Sequence, residues 1–276
     1  MFDKFGDRMK MYENYESDQR FLPLLPVCVR LDGKNFSKFT RGLQRPYDEV
    51  LSNIMIDTTT YLVKETNACI GYTQSDEISL IYYSDDMKSQ IFHDGRKQKM
   101  LSILSALCSM KFNQLLQQTK EERFENKKKL LPVFDCRAWV MPNLIEATNV
   151  IRWREFDAVK NSIQCAAQEH YSNKELLNKH TGEQQEMLFQ KGINWNDYPS
   201  FYKRGTYIQR IKVNRKFTTE EFEKLPLKHE ARKNPDLIIE RTEFIKLDMP
   251  PVTQVTNLVD VIFNYEKPTI TNNNVL

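Results

Sequence analysis

Val27-Cys28-Val29-Arg30-Leu31-Asp32-Gly33 sets Val27, Val29 and Leu31 on one side of an extended chain and halts it at an acid followed by a glycine. Apolar residues at a period of two mark a strand with one buried face. Downstream, Cys69-Ile70-Gly71-Tyr72 and Ile78-Ser79-Leu80-Ile81-Tyr82-Tyr83 flank the polar Thr73-Gln74-Ser75-Asp76-Glu77. That pattern predicts a hairpin with carboxylates at its bend. Between strand and hairpin, Val50, Ile54, Met55, Tyr61 and Leu62 recur at helical spacing over residues 47–66, despite the β-branched run Thr58-Thr59-Thr60. Leu101, Leu104, Leu107, Met110 and Leu115 predict a second helix over 100–116, and Phe134, Cys136, Ala138 and Val140 a fourth strand. The order β, α, β, β, α, β belongs to the α+β class: the ferredoxin-like split βαβ arrangement, an antiparallel sheet with two helices on one face.

Residues 1–142 thus form one unit. Residues 143–276 read as a mainly helical extension, with a helix over 145–170, a returning strand over 207–216 and a polar C-terminal tail, packed on the first part as one body. The charge run 119–129 suits a solvated loop or helix end, and Thr271-Asn272-Asn273-Asn274 a frayed terminus.

Composition narrows the class further. With 40% hydrophobic and 28% charged residues the chain is globular, and no apolar run reaches bilayer length. The opening Met1-Phe2-Asp3-Lys4-Phe5-Gly6-Asp7-Arg8 lacks the apolar stretch of a secretory signal, so a cytoplasmic protein without a membrane partner is expected. Five widely spaced cysteines (Cys28, Cys69, Cys108, Cys136, Cys165) suit reduced thiols better than a disulfide framework or a zinc knuckle. A net charge of only +3 means that any nucleic-acid partner must be met by local basic patches.

In this topology Asp32 ends the first strand while Asp76 and Glu77 sit at the bend of the neighbouring hairpin, so all three can meet at one sheet edge. Mg²⁺ takes oxygen ligands and keeps several waters, so these carboxylates, the Gly33 carbonyl and substrate phosphates would make an adequate site. Two such ions about 3.5–4 Å apart stabilise both the attacking and the leaving oxygen of an in-line phosphoryl displacement. Asp is also common where strands end, and the pattern alone leaves both roles open. The bend Asp32-Gly33-Lys34-Asn35-Phe36-Ser37 offers consecutive backbone N–H groups to a triphosphate. Lys34, Arg45 and Lys99 are candidate phosphate partners and equally ordinary surface cations; Ser75 either bonds a phosphate or shapes its turn.

Four stretches resemble the tRNA-His guanylyltransferase family, and within it the guanylyltransferase-like branch that repairs tRNA 5′ ends. They are Phe5-Gly6-Asp7-Arg8-Met9-Lys10-Met11-Tyr12-Glu13, Val29-Arg30-Leu31-Asp32-Gly33-Lys34-Asn35-Phe36, Gly71-Tyr72-Thr73-Gln74-Ser75-Asp76-Glu77 and Phe201-Tyr202-Lys203-Arg204-Gly205-Thr206. The resemblance runs to about Ile211. It implies a polymerase-like palm domain that extends tRNA in the 3′-to-5′ direction. Asp32, the Gly33 carbonyl and Asp76 would hold two Mg²⁺ ions, with Glu77 beside them as a further catalytic carboxylate. The bend 32–37 and Ser75 would contact the nucleoside triphosphate, ATP, GTP or another NTP, and Arg45 and Lys99 fall where the family has basic residues near phosphates. A 5′-monophosphate would be activated by ATP and then attacked by the 3′-hydroxyl of the incoming nucleotide; a 5′-triphosphate would be attacked directly. Eukaryotic members carry a His-Ile-Asn-Asn type motif after a Trp-Arg pair. This chain instead reads Trp153-Arg154-Glu155-Phe156-Asp157-Ala158-Val159-Lys160-Asn161-Ser162-Ile163, which resembles the repair branch and favours 5′-truncated tRNAs over addition of one guanosine to tRNA-His. Asn161 is a candidate tRNA or nucleotide contact and equally a capping residue. Lys203 and Arg204 resemble a segment implicated in the activated 5′ end, and the family commonly forms dimers or tetramers.

Beyond that site, Arg210, Lys212 and Lys216 share one face of the returning strand, where they can track RNA phosphates or form a solvated edge. Two further readings are a palm-like nucleotide cyclase and a non-catalytic RNA-binding module that stacks bases on an open sheet face.

Overall fold

The computed structural model describes residues 4–234 and 236–270. Its elements are α1 (Lys4–Ser17), β1 (Val27–Gly33), α2 (Phe36–Phe39), α3 (Glu49–Thr66), β2 (Ile70–Gln74), β3 (Glu77–Tyr82), α4 (Lys97–Gln118), α5 (Glu125–Lys128) and β4 (Phe134–Val140). There follow α6 (Leu144–Gln168), α7 (Thr181–Gln190), α8 (Ser200–Arg204), β5 (Thr206–Lys216), α9 (Thr219–Glu223), β6 (Ile238–Leu247) and α10 (Leu258–Phe263). The six strands make one sheet in the order β4-β1-β3-β2-β5-β6, every neighbouring pair antiparallel. Its first four strands have the predicted split βαβ order.

Burial explains the helices. In α3 the polar β-branched run is accommodated because Thr58, Thr59 and Thr60 donate their hydroxyls to the carbonyls of Ile54, Met55 and Ile56 one turn back, so no buried hydroxyl is left unpaired. Asp48 caps the helix, accepting from the backbone N–H of Val50 and Leu51. In α4 the buried residues are Met100, Leu104, Cys108, Phe112 and Leu116, whereas Met110 is 54% exposed. The expected leucine stripe is therefore rotated, because Phe112 fills the space among Phe36, Phe39 and Phe134 with ring centroids 5.2–5.9 Å apart and draws its own face of the helix inward.

Both faces of the sheet are covered. Val27, Val29, Leu31, Ile78 and Leu80 pack with residues of α3 and α4, while Cys28, Ile70, Tyr72 and Ile81 pack with Ala147 and Ile151 of α6 and with Val252, Leu258 and Val261. The C-terminal part thus closes the face that the first six elements alone would leave bare, and β3 is buried at every position. The polar tail expected after residue 217 instead carries β6, paired with β5 over ten residues. Glu240, Arg241 and Glu243 hid this strand in the sequence. Both acids meet basic partners across the ladder, Lys212–Glu240 at 3.0 Å and Arg215–Glu243 at 2.9 Å. The terminus at 271–274 lies outside the described residues, and among those described no helix is long and apolar enough to cross a membrane.

Gly71 sets the spacing of α3 over the sheet, since a Cβ there would lie 2.5 Å from Val63 Cγ2 and 2.8 Å from Thr59 Cγ2. Gly71→Ala is expected to destabilise the protein by about 1–3 kcal/mol through overpacking, read by urea unfolding. A change below about 0.5 kcal/mol, typical of a surface site, would contradict this packing.

Candidate active site

The β1–β3 register pairs Asp32 with Glu77, so antiparallel geometry brings the end of the first strand to the start of the hairpin's return strand. A backbone hydrogen bond from Gly33 N to Asp76 O, 3.1 Å, ties the two turns together. Each turn contains a non-glycine residue in the left-handed region, Asn35 at φ 58° and Ser75 at φ 50°, a conformation with a steric cost that functional turns often carry. Gly33 is needed for a different reason: a Cβ there would fall 2.2 Å from the Phe36 ring, which is buried in the aromatic core beneath the bend.

Asp32, Ser75, Asp76 and Glu77 line a cleft of about 460 Å³, whose other walls include Arg45, Tyr47, Asp157, Asn161 and Tyr202. Burial, and secondarily the neighbouring Asp32 carboxylate, raises the Asp76 carboxyl above its ordinary range. The Ser75 hydroxyl donates to Asp76 Oδ1 at 3.2 Å. Glu77 is in the opposite situation. Arg154 of α6 donates Nε to Oε1 at 2.6 Å and a second nitrogen to Oε2 at 2.7 Å, and the same guanidinium reaches Asp157 at 3.0 Å. Burial still pushes the Glu77 carboxyl upward, against the pull of Arg154.

Asp32 and Asp76, the acids expected to hold the ions, and Glu77, expected beside them, thus differ in their surroundings. Glu77 is neutralised by a bidentate cation, and among the described residues no three His, Cys, Asp or Glu side chains are gathered to hold a metal. Among the described residues neither Asp32 nor Asp76 is in an ion pair. Two carboxylates and a nearby carbonyl suit Mg²⁺, which leaves positions for water and phosphate, and not a closed zinc site.

The other predicted residues divide. Arg45 and Asn161 line the cleft; Arg45 stands 3.7 Å from Glu169, and Asn161 sits within α6, 3.5 Å from Asp157, in no capping position. Lys34, Asn35 and Ser37 are exposed on the bend, whereas the Phe36 side chain belongs to the core, leaving only its backbone for a nucleotide. Lys99 is displaced from the cleft: it is exposed in the first turn of α4, and its electrostatic neighbour His93 follows Phe92, which stacks on Tyr82 opposite Val27. That is the far end of β1, about 17 Å from Asp32 at 3.3 Å per residue. Lys203 also does not line the cleft: the residue is buried and its ammonium donates to the Asn196 carbonyl. Arg204 turns to the opposite side of α6 from the cleft. Arg210 lies against Tyr265 and Lys212 pairs with Glu240, both outside the cleft.

Sequence reasoning missed the aromatic wall and the arginine clamp. Tyr47 packs against Phe201 and Tyr202 with centroids 5.3 and 4.9 Å apart, and Tyr202 donates to the Ser162 carbonyl at 2.6 Å. Gly205 lets this segment close on β2, since a Cβ would meet Thr73 O at 2.6 Å. The Trp-Arg pair at 153–154 was the available signal for the clamp.

Comparison with known proteins gives the family. The profile of the family described as Thg1, tRNAHis guanylyltransferase, matches residues 6–142. A solved bacterial tRNA-His guanylyltransferase-like protein in complex with ATP is 35% identical, with a TM-score of 0.68 over 75% of this chain and 88% of that one. The chain belongs to the tRNA-His guanylyltransferase family. It is thus a nucleotidyltransferase of a family that acts on tRNA. A similar bacterial protein in complex with GTP superposes with a TM-score of 0.67 at 28% identity, covering 91% of this chain and 94% of that one. Among curated relatives of this family member, an uncharacterized protein of Acanthamoeba polyphaga mimivirus is 33% identical over 75% of the chain and 77% of its own length. The tRNA(His) guanylyltransferase of Saccharomyces cerevisiae is 28% identical over 75% and 90%.

Two predictions follow from the charges. Because the folded state raises the Asp76 pKa, ionised Asp76 opposes folding, and its contribution to stability is lost as pH rises through that value. Asp76→Asn is expected to raise the thermal midpoint of the metal-free protein at neutral pH while abolishing nucleotide addition, with the gain vanishing in acid once Asp76 is protonated. A lowered midpoint at neutral pH would contradict it. Arg154→Met, which removes both short hydrogen bonds of the buried Glu77 carboxylate and leaves it Arg30 Nε at 4.0 Å, is expected to cost about 3–5 kcal/mol, and Glu77→Met in the same chain to restore most of it by urea unfolding. A double variant no more stable than Arg154→Met would refute the clamp.

Proposed function

We propose that this protein adds nucleotides to the 5′ end of tRNA in the 3′-to-5′ direction with Mg²⁺, in the cytoplasm, and that its duty is templated repair of 5′-truncated tRNAs. The observation that carries this is the Asp32–Asp76 pair: two neighbouring carboxylates, in no ion pair among the described residues, lining a cleft with an aromatic wall. Asp32, Asp76 and the Gly33 carbonyl would hold the ions, which supply charge neutralisation at the transferring phosphate.

The chain's own groups do the rest. Ser75 and the bend 32–37 offer hydroxyl and backbone N–H groups to a triphosphate, Arg45 adds a positive charge, and Tyr47 with Tyr202 gives a base a surface to lie on. Holding the 3′-hydroxyl of the incoming nucleotide in line with an activated 5′-phosphate accounts for most of such catalysis. The oxygen–phosphorus bond forms as AMP or pyrophosphate leaves, according to whether the end was adenylylated with ATP or already triphosphorylated. Repair is favoured over addition of one guanosine because Asp157 and Asn161 face the cleft in the segment that departs from the eukaryotic motif. A non-catalytic module stacking bases on an open sheet loses its support, since α6 covers that face. The working unit is taken to be a homo-oligomer, for which α1 offers an apolar surface: it buries no residue and exposes Met11, Tyr12 and Tyr15.

Incubation with Mg²⁺, labelled GTP or ATP, and either a 5′-truncated tRNA or a tRNA-His lacking its extra guanosine tests the proposal. Lengthening of the truncated tRNA is expected to be preferred, with Asp32→Ala and Asp76→Ala each slowing it at least about a hundred- to a thousandfold. Exclusive use of tRNA-His would replace repair by maturation, a cyclic nucleotide product would replace both, and near-normal turnover in either variant would remove the metal assignment.

A further inference from the structure

Helix α6 has a second cavity behind it. Asp157, Asn161 and Ser162 face the catalytic cleft, while Phe156, Lys160 and Ile163, interleaved with them, line a cavity of about 730 Å³ closed by α7, Trp195 and Arg204. The two hollows share the helix as a wall, about 10–12 Å thick with its side chains, and are joined through Ser162, whose Oγ accepts from Trp195 Nε1 at 3.2 Å.

The lining has a definite chemistry. Lys160, Lys179 and Arg204 bring positive charge, and among the described residues neither Lys160 nor Arg204 is in an ion pair; Lys179 pairs with Glu183 at 3.0 Å. Glu155 is the acid in the wall, and both of its oxygens are occupied, by the Tyr207 hydroxyl at 2.6 Å and the Val252 N–H at 2.8 Å. Phe156 is 52% exposed beside the half-buried Trp195, so two aromatic side chains border the space. Gln184, only 7% exposed, donates Nε2 to the Lys179 carbonyl at 3.0 Å, and its buried Oε1 has no partner among the described residues. Aromatic faces between cations are what unpaired nucleotides require.

We propose that this cavity binds the unpaired 3′-terminal nucleotides of the tRNA whose 5′ end occupies the cleft. The choice among unpaired RNA segments rests on position. The 5′ end and the single-stranded 3′ end leave the same stem side by side, and the cavity lies one helix width from the cleft. Arg204, expected from the sequence to serve the 5′ phosphate, acquires its role here. The site would hold the 3′ strand aside and anchor the stem while the 5′ end grows.

The inference rests on tRNA being the substrate, so its test reads binding apart from catalysis. Fluorescence anisotropy with the full-length protein would compare a 5′-truncated tRNA with the same molecule trimmed of its unpaired 3′ nucleotides, alongside 5′ addition to each. Trimming is expected to raise the wild-type Kd about tenfold. Lys160→Ala and Phe156→Ala should each weaken the intact tRNA by about tenfold, leave the trimmed one within about twofold, and leave the rate at saturating tRNA unchanged. Equal weakening of both tRNAs, or none of either, overturns the site even if addition proceeds. Discrimination by Kd with no addition by the wild type would uphold the site and sink the proposed function.

Discussion

Two like charges held together at the end of a sheet are the constraint around which this molecule is arranged. The β1–β3 register and the Gly33–Asp76 backbone hydrogen bond tie the two acid-bearing turns together, and burial, with the Asp32 carboxylate adding to it, makes Asp76 harder to ionise than a free aspartate. Left-handed residues in both turns, Asn35 and Ser75, add local strain at the same spot. Such a cluster is unfavourable for folding and makes sense as a place where a cation and a polyphosphate are received.

Its counterpart is Glu77, one residue along, whose charge is satisfied internally. The Arg154 clamp locks α6 across the sheet face and so builds the cleft wall to which Asp157 and Asn161 contribute. The same helix presents Phe156 and Lys160 to the hollow behind it. One buried ion pair thereby positions a helix whose two sides do different chemistry, and the alternation of cleft-facing and cavity-facing residues along 155–163 is a consequence of helical periodicity.

The palm core was legible because its strands alternate cleanly and its acids fall at strand ends, so topology alone brought Asp32 to Asp76. What the sequence concealed has physical causes. Strand β6 is laced with charges that pair across the ladder, which reads as a solvated tail. The buried stripe of α4 was masked because leucines occupy two overlapping faces and only the packing of Phe112 decides between them. Lys99, Lys203 and Arg204 are positive residues that the sequence offered as phosphate partners, but charge says nothing of direction, and none of the three lines the cleft. Glu77 and Asp76 are adjacent acids indistinguishable in sequence, separated in role by an arginine 77 residues from the first of them.

The central claim is that Asp32 and Asp76 jointly receive divalent ions. Crystals soaked with Mn²⁺ and a non-hydrolysable triphosphate, examined by anomalous scattering, test it most directly. Peaks bridging the two carboxylates, within about 2.3 Å of their oxygens, are the outcome this account requires; manganese bound elsewhere, or none between these aspartates while the nucleotide is in place, would contradict it.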